Sequence, residues 1–232
     1  MKKLNIHWQD IRSLLHKYRH GLLFLYAFIY LPWFRYLEQT VTSRFHIVHM
    51  VLDDYIPFIE FFIVPYLFWF IYVSVPLVYF FINEPDNFKK MCCFLFSGMT
   101  IFLIISTVYP NGAYLRPIVF PRDNIFTEAV KMLYATDTAT NLFPSIHVYN
   151  SIATHWAISK SKYLKSHKKL LLASQVSMVL IILSTMFLKQ HSVFDVLTGI
   201  ALALFIGILV YTPDWLRQRR TGKVRLEKNR EI

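Results

Sequence analysis

The stretch LLLASQVSMVLIILSTMFLKQHSVFDVLTGIALALFIGILVY, residues 170–211, decides the fold of this chain. It contains two apolar runs, Leu170–Leu188 and Val193–Tyr211, which are separated by residues 189–192. A helix needs roughly 20 residues to cross the hydrocarbon core of a bilayer, and each run comes close to that length. The stretch therefore predicts two transmembrane helices joined by a tight turn.

The rest of the chain repeats this pattern. Of its 232 residues, 55% are hydrophobic and 17% aromatic, above the roughly 45–50% apolar residues of a soluble domain. The other apolar runs are residues 21–34 (GLLFLYAFIYLPWF), Ile56–Ile82, Met91–Val108 and Val148–Ser159. The last of these is short and carries two His and an Asn, but we count it because polar residues inside a bundle are tolerated when they serve a site. Residues 21–212 therefore predict an all-α bundle of six transmembrane helices.

The basic residues predict how this bundle is oriented. Lys and Arg concentrate in residues 1–20, in NEPDNFKK, in the loop from Lys160 and in the tail 213–232, together 19 of the 25. With six spans all four segments lie on one side, which the positive-inside rule makes cytoplasmic. Residues 1–20 also have the apolar spacing of an interfacial amphipathic helix. We therefore interpret the net charge of +11 as membrane orientation, and we expect no nucleic-acid partner.

The outward connections, about residues 35–55, 109–145 and 189–192, carry the polar motifs. In the second of them, TNLFPSIHVYN (140–150) places Ser145 and His147 at the mouth of a predicted span. The tetrad Pro144-Ser145-Ile146-His147 also suits a simple helix start, so it does not by itself establish a site. Arg116 lies in the same connection.

The third connection supplies a second histidine. His191 and Asp195 are four residues apart, so on a helix they would share one face. That spacing suits a carboxylate that holds one ring nitrogen of His191 and leaves the other free to attack. Together with Arg116, Ser145 and His147, these residues reach the same membrane surface from three separate segments, so we predict a catalytic site there.

These residues resemble the motifs of the type-2 phosphatidic acid phosphatase superfamily, the lipid phosphate phosphatases related to vanadium haloperoxidases. That family has the blocks Lys-x6-Arg-Pro, Pro-Ser-Gly-His and Ser-Arg-x5-His-x3-Asp. This chain is similar at Arg116-Pro117, at Pro144-Ser145-Ile146-His147 and at Ser184-x6-His191-x3-Asp195. The resemblance covers about residues 109–199, and the wording FPSIH and QHSVFD is similar to the inositolphosphotransferase-like branch.

The resemblance implies a role for each matching residue. His191 would be the nucleophile that forms a phosphohistidine, Asp195 would orient it, and His147 would protonate the leaving alkoxide and later activate water. The phosphoryl oxygens would be held by Arg116, Ser145 and the backbone N–H of Ile146. The family requires no metal, and we expect no cofactor.

Two departures change the charge of the predicted site. Tyr109 stands where the family has Lys, and Thr185 where it has Arg, so Arg116 is the one cation left in the motifs. One cation would not balance the two negative charges of a phosphomonoester, whereas a phosphodiester carries one negative charge and needs fewer cations. Lys189 and Arg122 are close in sequence and are candidate replacements.

We therefore expect a multi-pass enzyme of the cell membrane whose site faces the extracytoplasmic side and binds a lipid phosphate substrate among membrane lipids. Hydrolysis by a lipid phosphate phosphatase is our first expectation. Head-group transfer, as in inositol-phosphorylceramide and sphingomyelin synthases, is a close alternative, and a non-catalytic lipid-binding or transport protein is an alternative of another class. The sequence does not indicate which oligomeric state the protein has.

We interpret His46, His49, Asp53 and Asp54 as part of a solvated interfacial helix rather than a metal cluster.

Overall fold

The computed structural model describes residues 16–228, with side chains through residue 212. The structure is 75% helical with almost no sheet. The described α-helices are α1 (Ala27–Thr40), α2 (Val51–Tyr55), α3 (Ile63–Asn83), α4 (Pro85–Val108), α5 (Ile125–Thr136), α6 (Ile146–Lys160), α7 (Lys168–Phe187) and α8 (Val193–Lys228). Short 3-10 helices occur at Arg19–Tyr26, Glu60–Phe62 and Leu164–Ser166, and strands β1 (His46–Ile47) and β2 (Asn111–Gly112) pair in parallel. The helical fold class is thus confirmed. The amphipathic helix predicted for residues 1–20 lies mainly outside the described residues.

Four helices of the described chain are long and apolar enough to cross a membrane. They are α3 with the turn before it, α4, α7, and α8 as far as Thr212. The first and fourth predicted spans correspond to α1 and α6, which have 14 and 15 residues and do not reach that length. The number of six spans and the placement of both termini therefore stay predictions.

Two helix starts differ from the predicted apolar runs. The run predicted from Ile56 becomes helical only at the 3-10 turn of Glu60–Phe62, and α4 begins at Pro85 rather than at Met91. Proline is favoured at the first helical position, where its missing N–H costs no hydrogen bond. Most of the predicted loop NEPDNFKK is consequently the start of α4.

The bundle has two distinct ends. At one end the α6–α7 loop is fastened to the α3–α4 turn, because the Glu84 carboxylate accepts hydrogen bonds from the Ser161 hydroxyl and, at 2.9 Å, from the Lys162 N–H. At the other end, the N–H before α3 at Ile59 donates to the last carbonyl of α7, at Phe187. The loops of Arg116 and His191 and the start of α6 with His147 all lie at this second end.

The centre of the bundle is α6, which packs against α3, α4, α7 and α8. Its buried side chains include the polar Asn150, Ser151 and Thr154. Where α4 crosses it, a Cβ on Gly98 would lie 2.1 Å from the Tyr149 ring, so only glycine allows this approach. Since helices surround α6 on several sides, it needs no continuous apolar surface, which explains its weak apolar signal in the sequence.

Candidate active site

The turn between α7 and α8 holds the backbone of His191. Lys189 follows the end of α7 in the left-handed region, with φ of 54°. The N–H groups of Gln190 and His191 then donate to the Thr185 carbonyl at 2.9 and 3.0 Å. A left-handed residue after a helix commonly returns the chain to the last free carbonyls. The position of His191 is thus set by the end of α7.

Ser192 and Asp195 form a capping box at the start of α8. The Ser192 N–H donates to Asp195 Oδ2 at 2.9 Å, and Ser192 Oγ accepts from the Phe194 N–H at 3.2 Å. Asp53 extends this cap, because its carboxylate accepts from Ser192 Oγ at 2.6 Å and from the Val193 N–H at 2.8 Å. Asp53 is only 2% exposed. The interpretation of Asp53 as a solvated residue is therefore wrong.

His191 and Asp195 are neighbours, although not for the reason given by their spacing. His191 precedes α8, so the turn, and not a shared helix face, brings the two side chains together. The distance from His191 Nδ1 to Asp195 Oδ2 is 3.5 Å, longer than an ordinary N–H···O bond. His191 Nδ1 and Asp195 Oδ1 have no hydrogen-bond partner among the described residues. Catalytic hydrogen bonds are often long before substrate binds, so the arrangement suits an orienting carboxylate.

His147 approaches His191 from the start of α6. Its ring lies between two aromatic rings of α3, with centroid distances of 4.6 Å to Tyr66 and 4.5 Å to Trp69. The centroids of the His147 and His191 rings are 5.7 Å apart. This spacing leaves room for a group between or beside the rings that both can contact.

Gly199 allows α8 to approach the start of α6 this closely. A Cβ added there would lie 2.9 Å from the Ser145 carbonyl oxygen and 3.2 Å from Val148 Cβ. The two segments are also joined by the Ser145 N–H, which donates to the Asp195 carbonyl at 3.2 Å. The absence of a side chain at Gly199 thus helps to set the distance between the two histidines.

A cavity of about 450 Å³ opens beside His147 and His191. Apolar side chains of α1 and α3 line one side, among them Leu31, Phe34, Leu67 and Phe70. The residues with polar or charged groups on the wall besides the histidines and Tyr66 are Tyr30, Glu38, Trp69, Thr136, Asp137, Thr140, Asn141 and Gln190. Among the described residues that line it there is neither Lys nor Arg.

The predicted phosphate ligands Ser145 and Ile146 occupy different positions. Ile146 lines the cavity. Ser145 is fully buried and caps α6, with its Oγ accepting from the Val148 N–H at 3.5 Å. Contacts of Ser145 and of the Ile146 N–H with a phosphoryl group stay predictions.

Arg116 lies behind the cavity wall, with its guanidinium directed at backbone oxygens. Its Nη1 and Nη2 donate to the carbonyls of Tyr134, Asp137 and Thr138 and to Gln190 Oε1, at 2.7–3.1 Å. Burial lowers the pKa of Arg116 from its ordinary value. Its Nε has no partner among the described residues. Arg116 therefore fixes the loop of Asp137 and Thr138 and the amide of Gln190.

The two replacement cations are engaged away from the cavity. Lys189 Nζ donates to the Asp53 carbonyl at 2.6 Å, and burial lowers its pKa. Arg122 forms a bidentate ion pair with Glu60, in which Nε donates to Oε1 at 2.6 Å and Nη2 donates to Oε2 at 2.9 Å. The structure does not bring Lys189 or Arg122 onto the cavity wall.

Tyr109 and Thr185, which replace the two cations of the family motifs, both lie away from the cavity wall. Tyr109 stacks on His46, with ring centroids 4.1 Å apart, and does not line the cavity. Thr185 is fully buried, and its Oγ1 donates to the Ile182 carbonyl. An arginine would not fit the space of Thr185 without moving its neighbours.

Glu38, Asp137 and Gln190 line the cavity but were not predicted as site residues. Glu38 lies near the end of α1, about a hundred residues before Asp137 in the chain. No local spacing relates the two carboxylates to each other or to the histidines. Gln190 precedes His191 directly, and this adjacency is the one sequence signal that pointed to it.

The comparisons with known proteins agree with the motif analysis. A family model described as PAP2 superfamily matches residues 111–219. This match confirms the predicted family resemblance, while the branch within it stays a prediction. The searches of curated proteins and of solved structures gave no significant match.

Proposed function

We propose that the protein, whose residues 111–219 match the PAP2 superfamily model, is a membrane enzyme that cleaves a phosphoester bond of a lipid through a phosphohistidine. One observation carries the proposal. His147 and His191 line a single cavity, and the Asp195 carboxylate lies 3.5 Å from the ring of His191. This arrangement supports His191 as the nucleophile, His147 as the proton donor and Asp195 as the orienting group.

The cavity wall supports a lipid as substrate. Leu31 of α1 and Phe70 of α3 line it and are also 60% and 58% exposed on the outside of the bundle. Apolar side chains that are exposed on a membrane helix face acyl chains rather than water. The gap between α1 and α3 is therefore the proposed entry for a lipid whose head group reaches the histidines.

In the first half-reaction, His191 Nε2 attacks phosphorus and the bond from phosphorus to the leaving alcohol oxygen breaks. Protonated His147 gives its proton to that oxygen, so the alcohol leaves neutral. The His191 Nδ1–H donates to Asp195, which stabilises the positive charge on the phosphorylated ring. The product is a phosphohistidine on His191.

In the second half-reaction, neutral His147 takes a proton from water or from an alcohol hydroxyl. The oxygen attacks phosphorus, the bond to His191 breaks, and both histidines return to their starting states. Water as acceptor gives hydrolysis, and a second lipid alcohol gives transfer of the phosphoryl-linked group.

The charge of the cavity favours a phosphodiester substrate. A monoester dianion needs cationic or multiple N–H donors, and the described wall offers neither Lys nor Arg. A diester has one negative charge and fits such a wall better. We therefore place head-group cleavage or transfer first. Monoester hydrolysis, the first expectation from the sequence, is the second candidate, and the unpartnered Arg116 Nε is the feature that favours it.

The test uses full-length protein in vesicles that contain a phospholipid with ³²P in its head group. The wild type should release or transfer label, and quenching at alkaline pH should trap label on the protein in an acid-labile form. His191→Ala should abolish both signals. His49→Ala is the matched control, because His49 pairs with Asp54 and does not line the cavity. Equal trapping in wild type and His191→Ala would refute the mechanism, and a wild type without turnover of any lipid phosphoester would support the non-catalytic alternative.

A further inference from the structure

The cavity contains two carboxylates that the proposed reaction does not use. Glu38 comes from α1 and Asp137 from the end of α5, and both line the same wall as His147 and His191. No salt bridge joins either carboxylate to Lys or Arg within the described chain. Negative charge beside a phosphate-binding site is unfavourable unless the ligand itself compensates for it.

Neutral donors hold these carboxylates in place. Glu38 Oε2 accepts from Thr138 Oγ1 at 2.6 Å, and Glu38 Oε1 accepts from Asn141 Nδ2 at 2.9 Å. Asp137 Oδ2 accepts from the Tyr66 hydroxyl at 3.2 Å. No donor in this group is charged, so these hydrogen bonds fix the geometry without forming an ion pair. The nearby Arg116 guanidinium donates to backbone carbonyls and to Gln190, and not to either carboxylate.

Asn141 supplies an independent sign of a ligand. It lines the cavity and is only 5% exposed, and its Oδ1 has no partner among the described residues. Asn141 Nδ2 faces Glu38, because an ionised carboxylate only accepts hydrogen bonds, so Oδ1 is the amide atom left without a partner. A buried acceptor without a donor is expensive, so a donor on the ligand is expected here.

In the amide of Gln190, next to His191, the nitrogen rather than the oxygen lacks a partner among the described residues. Its Oε1 accepts from Arg116 at 2.7 Å, which leaves Nε2 as a donor without a described partner in a side chain that is 2% exposed. The wall thus has a donor beside the nucleophile and three acceptor groups, Glu38, Asp137 and Asn141, further along. A ligand that matches both parts carries an anionic phosphate and a cationic N–H group.

We propose that Glu38, Asp137 and Asn141 bind the primary ammonium of a zwitterionic phosphodiester head group, of the phosphoethanolamine type, while Gln190 Nε2 donates to its phosphate. The proposal rests on the proposed function and names its substrate class. A primary ammonium fits better than a quaternary one, because Asn141 Oδ1 requires an N–H donor. It fits better than a polyol, because a polyol brings no positive charge to the two carboxylates.

The first experiment compares lipids with identical acyl chains in vesicles: phosphatidylethanolamine, phosphatidylcholine, phosphatidylglycerol and phosphatidic acid. The wild type should turn over the ethanolamine lipid at least about tenfold faster than the others. Glu38→Gln and Asp137→Asn keep the shape of the wall and should each lower kcat/KM for that lipid roughly tenfold to a hundredfold, the loss expected for a hydrogen bond to a charged group. Their rates on phosphatidylglycerol should stay level or rise.

Glu128→Gln is the matched control, because Glu128 of α5 is exposed and pairs with Lys131 outside the cavity. Equal loss on all four lipids in Glu38→Gln and Asp137→Asn would show a structural role, and a wild type that prefers phosphatidylglycerol or phosphatidylcholine would overturn the ammonium site. In both cases turnover continues, so the proposed phosphohistidine chemistry would stand.

A binding measurement keeps the proposal testable if no lipid is turned over. His191→Ala protein in detergent is titrated with glycerophosphoethanolamine and with glycerophosphoglycerol. The ethanolamine compound should bind at least about tenfold more tightly, and adding Glu38→Gln should remove the difference. Equal affinity for the two compounds would refute the site independently of catalysis.

Discussion

At the scale of single residues, the Asp137 carboxylate is placed where its ionised form is disfavoured. Burial and, after it, the nearby Glu38 raise the pKa of Asp137, and the charges of His191 and Arg116 only partly oppose this. An acid whose pKa is higher in the folded state loses stability once the pH rises above its value in the unfolded chain. The charge of Asp137 therefore opposes folding at neutral pH, which is common for residues that serve a site.

This predicts a stabilising substitution. Asp137→Asn keeps an acceptor for the Tyr66 hydroxyl but removes the charge, so it should raise the Tm at pH 7. The gain should disappear near pH 3, below the ordinary pKa of Asp, because the carboxyl group is then neutral in both folded and unfolded chains. Thermal unfolding in detergent at the two pH values measures this. A lower Tm for Asp137→Asn at both values would contradict it.

Asp195 gives a second prediction at this scale. Asp195→Asn should lower kcat by about 10⁴-fold with little change in KM, because an amide no longer holds His191 in the tautomer that attacks. Its oxygen can still accept from the Ser192 N–H, so the start of α8 should survive. Circular dichroism and turnover of the same preparation separate the two effects. Asp86→Asn, an exposed position on α4, is the control, and a loss smaller than about tenfold would exclude the orienting role.

At the scale of elements, the contact between α6 and α8 sets the separation of the histidines. Gly199→Ala would place a methyl group 2.9 Å from the Ser145 carbonyl, a backbone atom that cannot rotate away. Overpacking of this kind costs about 1–3 kcal/mol, so the Tm should fall. The turnover should fall further, by roughly a hundredfold, since small displacements of reacting groups have large effects on rate.

The control for this prediction is Gly21→Ala, where the added Cβ would meet the movable ring of Phe81 at 3.1 Å, remote from the cavity. Turnover and thermal unfolding are measured for both variants. A Gly199→Ala protein with wild-type turnover would show that this contact does not position His147 against His191.

The elements also show which parts of the molecule a sequence can predict. Apolar runs of nearly 20 residues predict α7 and α8 well, because the bilayer fixes their length. The tight turn at residues 189–192 followed from the same stretch. The proximity of His191 to Asp195 was also predicted, but from a shared helix face, whereas the turn produces it. The capping role of Asp53 could not be predicted, because its partners Ser192 and Val193 are about 140 residues away and the contact depends on tertiary packing. The sequence could not predict for the same reason that Glu38 and Asp137 line the same cavity.

At the scale of the whole molecule, the basic loop from Lys160 and the cavity lie at opposite ends of the described bundle. The loops with Arg116, His147 and His191 share one end, and the loop from Lys160 is fastened to the other through Glu84. The count of 19 basic residues predicts that the Lys160 end is cytoplasmic. The proposed site would then face outward, towards the head groups of the outer leaflet.

Cysteine labelling tests this orientation in intact cells. The background carries Cys92→Ala and Cys93→Ala, because Cys93 is exposed. Ile118→Cys, at a position that is 97% exposed at the cavity end, should react with a membrane-impermeant maleimide added outside. Lys165→Cys, also exposed but at the opposite end, should react only after the membrane is permeabilised. The reverse pattern would place the cavity in the cytoplasm, and its substrate would then be a lipid of the inner leaflet. Labelling of both positions from outside would show an even number of spans between them, so that either α6 does not cross or the chain crosses the membrane a second time between these positions.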